Sequence, residues 1–198
     1  MFTRIALAVF LLVLLSCDRS KVDPFGEPPH GDTSAPELLS KPGLYSSSTD
    51  HFSIAFPFNG VPKSEDLPEQ QTVIGRTRAT SYYVRLRDVA FDVQVTRFPA
   101  NSLARDVPGL LKADRDGALV TGNARLVHER SSSVQLSSGA SVPALELELE
   151  LLGEIRAFRL TCFRADASYT LSAAGPRSDP ALNQQAFQHF ATSFRLLE

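Results

Sequence analysis

Cys17 is the one side chain whose surroundings specify a reaction. It closes Leu14-Leu15-Ser16-Cys17, a run that follows Arg4 and the apolar stretch from Ile5 to Leu15. A small residue before a cysteine, with leucine three places upstream, is the pattern of a bacterial lipoprotein cleavage site. The chemistry it predicts is thioether formation between the Cys17 sulfur and a diacylglyceryl group, followed by acylation of the amine that cleavage frees. The apolar stretch is too short to cross a bilayer core, which takes roughly 20 residues. Each buried methylene adds about 0.8 kcal/mol, so one acyl chain binds marginally while two or three hold firmly. Asp18 follows the cysteine; in enteric bacteria an acidic residue there resembles a signal for inner-membrane retention. The expected address is the exported side of the cell membrane, with palmitate-type chains as the anchor.

Other residues invite chemistry and read more simply. Glu146, Glu148 and Glu150 alternate with Leu145, Leu147, Leu149 and Leu151. Three aligned carboxylates suggest metal binding or acid/base work, but strict alternation describes a strand with one buried face and one wet face carrying solvated glutamates. Cys162 stands in the strand-like run Phe158–Phe163 and reads as a buried, inert thiol. His51, His128 and His189 lack metal-ligand spacing. The sequence holds no Gly-x-Ser-x-Gly elbow, phosphate-cradling glycine loop or Cys-x-x-Cys pair. No metal and no cofactor are expected. Arg76, Arg78, Arg85, Arg87 and Arg97 cluster around one hairpin and offer a basic patch for an anionic partner or headgroups. The same residues would also serve as a solvated edge that discourages strand pairing.

The elements that must position these residues follow from periodicity. Residues 1–16 form the export signal. Residues 17–43 hold Pro24, Pro28, Pro29, Pro36 and Pro42 without sustained periodicity and read as a tether. Residues 44–198 read as one globular domain. Phe52–Phe56, Tyr82–Leu86, Ala90–Phe98, Arg125–Arg130, Leu145–Leu151, Phe158–Phe163 and Tyr169–Ala173 have the two-residue period of strands. Ser131–Gly139 reads as a polar loop. A two-residue turn at Leu152-Gly153 would set Leu147 beside Phe158 and Glu146 opposite Arg159. A helix is expected over Ser102–Gly122, with Asp106 and Pro108 at its start, and another after Asp179-Pro180. The fold class expected from this order is α+β, a central antiparallel sheet flanked by helices. A formal net charge of −2 predicts no attraction to nucleic acid.

Two segments carry a family resemblance. Asp50–Pro57 (DHFSIAFP) resembles the opening of the PsbP/DcrB-like group, and Phe187–Leu196 (FQHFATSFRL) resembles its ending. The resemblance covers about Tyr45–Glu198. It implies the layered sandwich just described and a non-catalytic role, since known members are mostly extrinsic or envelope proteins that bind other proteins. No catalytic residue carries over. The function expected is a membrane-anchored envelope lipoprotein that binds or assembles with protein partners. The alternatives are a hydrolase using His128 or His189 with nearby carboxylates, and a carrier of a small apolar ligand lodged between sheet and helices.

Overall fold

The computed structural model describes residues 43–57, 60–72, 75–86, 88–100, 103, 106–178 and 180–198. Cys17, the expected export signal at residues 1–16 and nearly all of the expected tether at 17–43 lie outside the described residues. The elements are β1 (Gly43–Ser47), β2 (Phe52–Phe56), β3 (Lys63–Thr72), β4 (Gly75–Leu86), β5 (Val89–Arg97), α1 (Val107–Thr121), β6 (Ala124–Leu136), β7 (Ser141–Leu151), β8 (Ile155–Arg164), β9 (Ala167–Pro176), α2 (Pro180–Ser193) and β10 (Arg195–Leu196). All ten strands join one sheet in the order β1-β2-β10-β6-β7-β8-β9-β5-β4-β3.

This architecture overturns the expected α+β layered sandwich. The described protein is mostly β, a curled half-barrel with two short helices. Nor is the sheet wholly antiparallel, because β10 runs parallel to β6. The curl can be measured. Six strands separate β2 from β4 in the sheet, which at about 4.8 Å per strand would hold them about 34 Å apart if flat. Yet the Phe52 and Tyr82 rings lie 5.1 Å apart. Periodicity shows which residues alternate, but the twist summed over ten strands is what brings the sheet's ends together.

Two stretches of strand were hidden by polarity. β3 is exposed along most of its length and so lacks an apolar face to announce it. It forms a sheet edge bearing Lys63, Glu65, Asp66, Pro68 and Glu69, residues that discourage pairing with a further strand. Ser131–Gln135, expected as loop, continue β6, with Ser131 opposite Leu145 and Val134 opposite Val142.

Each helix covers one face of the sheet. On the concave side α2 inserts aromatic rings against the strands: Phe190 lies 5.2 Å from Phe56 and 5.5 Å from Phe91, and Phe187 stacks on Phe158 at 5.7 Å. Phe187 and Phe190 are fully buried between α2 and the sheet. On the convex side Leu145, Leu147, Leu149 and Leu151 pack with Leu111 and Ala118 of α1. The α1 start is as read: Asp106 accepts a hydrogen bond from the Gly109 amide at 3.1 Å, and Pro108 sits in the first turn.

The β7–β8 register differs from expectation by one residue. Leu151 pairs with Ile155, so the turn holds Leu152, Gly153 and Glu154. Leu147 therefore lies opposite Arg159, and Glu146 opposite Leu160. A one-residue slip exchanges the two faces, which sends the leucines to α1 and the glutamates to the concave side.

Candidate functional site

The three glutamates of β7 stand among arginines on the concave side. Arg130 donates to Glu146 at 2.6 Å and Arg125 to Glu150 at 2.7 Å, both across the β6–β7 ladder. Arg156 of β8 reaches Glu148 at 3.3 Å, and Arg177 reaches Glu150 at 3.5 Å. Gln188 of α2 donates to Glu146 at 2.8 Å. The hydrogen bond from Arg125 holds the Glu150 carboxyl below its ordinary value. His128 is exposed and faces Glu148 across the ladder, whereas His189 lies exposed on α2. Among the described residues no group of three or more His, Cys, Asp or Glu could hold a metal ion. Cys162 is fully buried in the concave core, where burial pushes its thiol up to about 12.

The arginine cluster divides between the faces. Arg78 and Arg97 are direct partners across the β4–β5 ladder, where their like charges are separated by other pairings. Arg78 binds Glu69 at 2.6 Å, and Arg97 pairs with Asp50 and donates to the Thr49 carbonyl at 2.6 Å. Arg76 is exposed near the start of β4. Arg85 lies at the far end of the same strand, seven residues from Arg78 and so on the opposite face, with its guanidinium 5.5 Å from the Tyr83 ring centre. Arg87 lies outside the described residues.

Asp50 closes the curl. It sits buried in the β1–β2 turn, where its carboxylate accepts from the Tyr82 hydroxyl and pairs with Arg97. Its backbone carbonyl accepts from the Tyr169 hydroxyl at 3.1 Å. Burial, followed by the bond to Asp50, pushes the Tyr82 phenol up to about 12. One short turn thus binds β4, β5 and β9 together through side chains.

A second carboxyl occupies the convex face. Cross-strand register sets Tyr83, Asp92, Ser172 and Arg159 in one row over β4, β5, β9 and β8. Asp92 is partly buried and accepts from the Ser81 hydroxyl. Ser172 is buried, and its hydroxyl has no hydrogen-bond partner among the described residues. Arg159 is held in a fork by Asp114 of α1, at 2.6 and 3.2 Å, so its charge is committed. Desolvation pushes the Asp92 carboxyl up to about 7, against the opposing pull of Ser81, Arg159 and Arg85. The row can therefore take up or release one proton near neutrality. Alternation sets Asp92 with Gln94 and Thr96 on the face opposite Phe91, Val93 and Val95. The available signal was an aspartate between Phe91 and Val93 in mid-strand, a position from which aspartate is depleted.

No protein-family model matches the chain, and none of the curated proteins matches it. Among solved structures it is similar to the cyanobacterial PsbP protein (CyanoP) from Synechocystis sp. PCC 6803. That superposition has a TM-score of 0.54 and 13% identity, and covers 88% of this chain and 99% of that one. A protein from Bacteroides thetaiotaomicron superposes with a TM-score of 0.40 and 10% identity, over 79% of this chain and 49% of that one. The first of these likenesses shows a PsbP-like fold.

Proposed function

We propose that the chain is a lipid-anchored protein of the cell envelope whose PsbP-like domain is a non-catalytic module that binds or assembles protein partners. The observation that carries the non-catalytic reading is the internal commitment of the β7 glutamates, of Arg159 and of Cys162. Glu146, Glu148 and Glu150 are each paired with arginine, Arg159 is forked onto Asp114, and Cys162 is sealed in the core. Such groups position strands and helices; a nucleophile or general base must instead reach its substrate. The anchored reading rests on Leu14-Leu15-Ser16-Cys17 and the proline-rich stretch after it, with Asp18 favouring the inner membrane. Cross-linking within intact envelopes tests both parts. Full-length wild type should fractionate with membranes and form a discrete adduct with an envelope protein, while Cys17→Ala should leave the membrane and lose the adduct. Wild type that stays soluble contradicts the anchor. A turnover abolished by one side-chain change contradicts the binding role.

A further inference from the structure

β6 lies inside the sheet order but has one open edge. β10 pairs with it only at Gln135 and Leu136, and β2 joins it only through β10. Among the described residues no strand runs beside residues 124–134 on the side away from β7. Exposure agrees: Val127, His128, Glu129, Arg130 and Ser131 are exposed in succession, on both faces. In β8, which is paired along both edges, residues 157–162 are all buried. The phase of the hydrogen bonds tells which backbone groups face outward. The Leu136 amide donates inward to the Ala140 carbonyl and the Ser137 amide outward to the Leu196 carbonyl, both at 2.8 Å. Antiparallel pairing alternates these directions residue by residue. Counted back along the unbroken register from Gln135 to His128, the N–H and C=O of Ser133, Ser131 and Glu129 point away from β7.

The side chains along this edge sort by sign. Register puts Arg125, His128 and Arg130 on the concave face, opposite Glu150, Glu148 and Glu146, and puts Glu129, Ser131 and Ser133 on the convex face. Glu129 is engaged by Arg115 of α1 at 3.2 Å. On the concave face Arg125, Arg130, Arg156 and Arg177 meet only three glutamates, which leaves one positive charge over. Arg125 and Arg130 form the outer row, with side chains 64% and 52% exposed, while Glu150 and Glu146 behind them are 11% and 14% exposed. The open edge therefore offers positive charge to whatever lies beside its concave face.

β3 shows how this fold guards an edge: Pro68, a bulge between Leu67 and Gln70, and charges of both signs at Lys63, Glu65, Asp66 and Glu69. β6 has a bulge at Val127, but beyond it residues 128–135 keep regular register and include no proline. Charge and spacing choose the occupant. A second copy's β6 paired antiparallel over residues 128–130 would set Glu129 against Glu129 and His128 against Arg130, and like charges opposite one another destabilise a ladder. The chain's own residues 18–42 carry acidic side chains at 18, 23, 27, 32 and 37, never two apart, so they do not match the spacing of His128 and Arg130.

We propose that the open edge of β6 takes an added strand, an extended acidic segment of a partner protein. Its Asp or Glu residues at alternate positions face Arg130, His128 and Arg125, and the residues between them are uncharged. Backbone bonds to Glu129, Ser131 and Ser133 supply affinity and the basic row supplies specificity. The proposal rests on the partner-binding reading above and names its site. The probe is a fluorescein-labelled peptide of alternating threonine and glutamate, read by anisotropy against the full chain. It should bind about ten-fold tighter than an isomer with its threonines and glutamates in separate blocks. Ser131→Pro removes one outward N–H and no bond to β7, a change edge strands tolerate, and should weaken binding about ten-fold. N-methylation of the peptide amides that meet β6 should do the same without any change to the protein. Arg130→Gln should weaken binding and reduce its dependence on salt. In hydrogen exchange the bound peptide should slow the amides of Glu129, Ser131 and Ser133. No binding, equal binding of the two isomers, or full affinity after Ser131→Pro or N-methylation overturns the site. Envelope cross-linking reports the binding reading separately. An adduct that persists in Ser131→Pro keeps that reading and overturns this edge as the site. Absence of any adduct in wild type overturns that reading, and the peptide alone then decides the edge.

Discussion

Arg97 pairs across the curl of the sheet with Asp50, a buried carboxylate that belongs to a turn six strands away in the sheet order. The pair fastens together two regions of the sheet that its summed twist brings close. Asp50→Ala removes the carboxylate and leaves the buried Tyr82 hydroxyl with less than it had. It should cost about 1–3 kcal/mol in urea unfolding. Arg97→Ala should cost more, because it leaves a buried charge uncompensated. Unchanged midpoints in both variants would show that the closure contributes nothing.

Asp92 makes stability depend on pH in a sense opposite to that of a salt-bridged carboxylate. Its carboxyl is raised from 3.8 to about 7 by burial, so between about pH 4 and 7 the folded chain holds a proton that the unfolded chain has lost. The contribution of this group is full below pH 4 and disappears as pH rises through 7, a loss of up to about 4 kcal/mol. Asp92→Asn should match wild type near pH 4, exceed it at pH 8, and flatten the profile between. A profile equally steep in both proteins would refute this assignment.

β10 is two residues long, yet among the described residues it is the strand that joins β2 to β6. Leu196 is fully buried, and its carbonyl accepts from the Ser137 amide at 2.8 Å. Leu196→Ala should cost about 2–5 kcal/mol. Removing residues 195–198 should strip hydrogen-exchange protection from 43–56 while the β7–β8–β9 centre keeps more of its own. Uniform protection in the truncated chain would contradict this arrangement.

The strain at Leu152, which has φ 53, gives a testable stability effect. Asn tolerates the left-handed region far better than Leu, so Leu152→Asn should stabilise the domain by about 1 kcal/mol and raise its melting temperature by a few degrees. A destabilised Leu152→Asn would mean that the leucine packs rather than projects.

What the sequence made legible was local. Asp106 and Pro108 gave the start of α1, and the Leu–Glu alternation gave β7, because capping and period act within a few residues. The β7–β8 register was missed by one because Glu154 belongs to the turn, and periodicity does not count turn residues. β3 was missed because a strand polar on both faces has no pattern to find. Asp92 and Asp50 were missed for a common reason. Alternation tells which way a side chain points, but what covers it depends on how ten strands curl, and that is decided by pairings far apart in the chain.

The account depends most on what Cys17 carries. Intact-mass measurement of the mature protein extracted from membranes addresses it directly. The predicted result is a chain that begins at residue 17 and is heavier than its sequence by a diacylglyceryl group and one further acyl chain. A chain that begins at Met1, or one cleaved at residue 17 with no added mass and recovered in the soluble fraction, would contradict it.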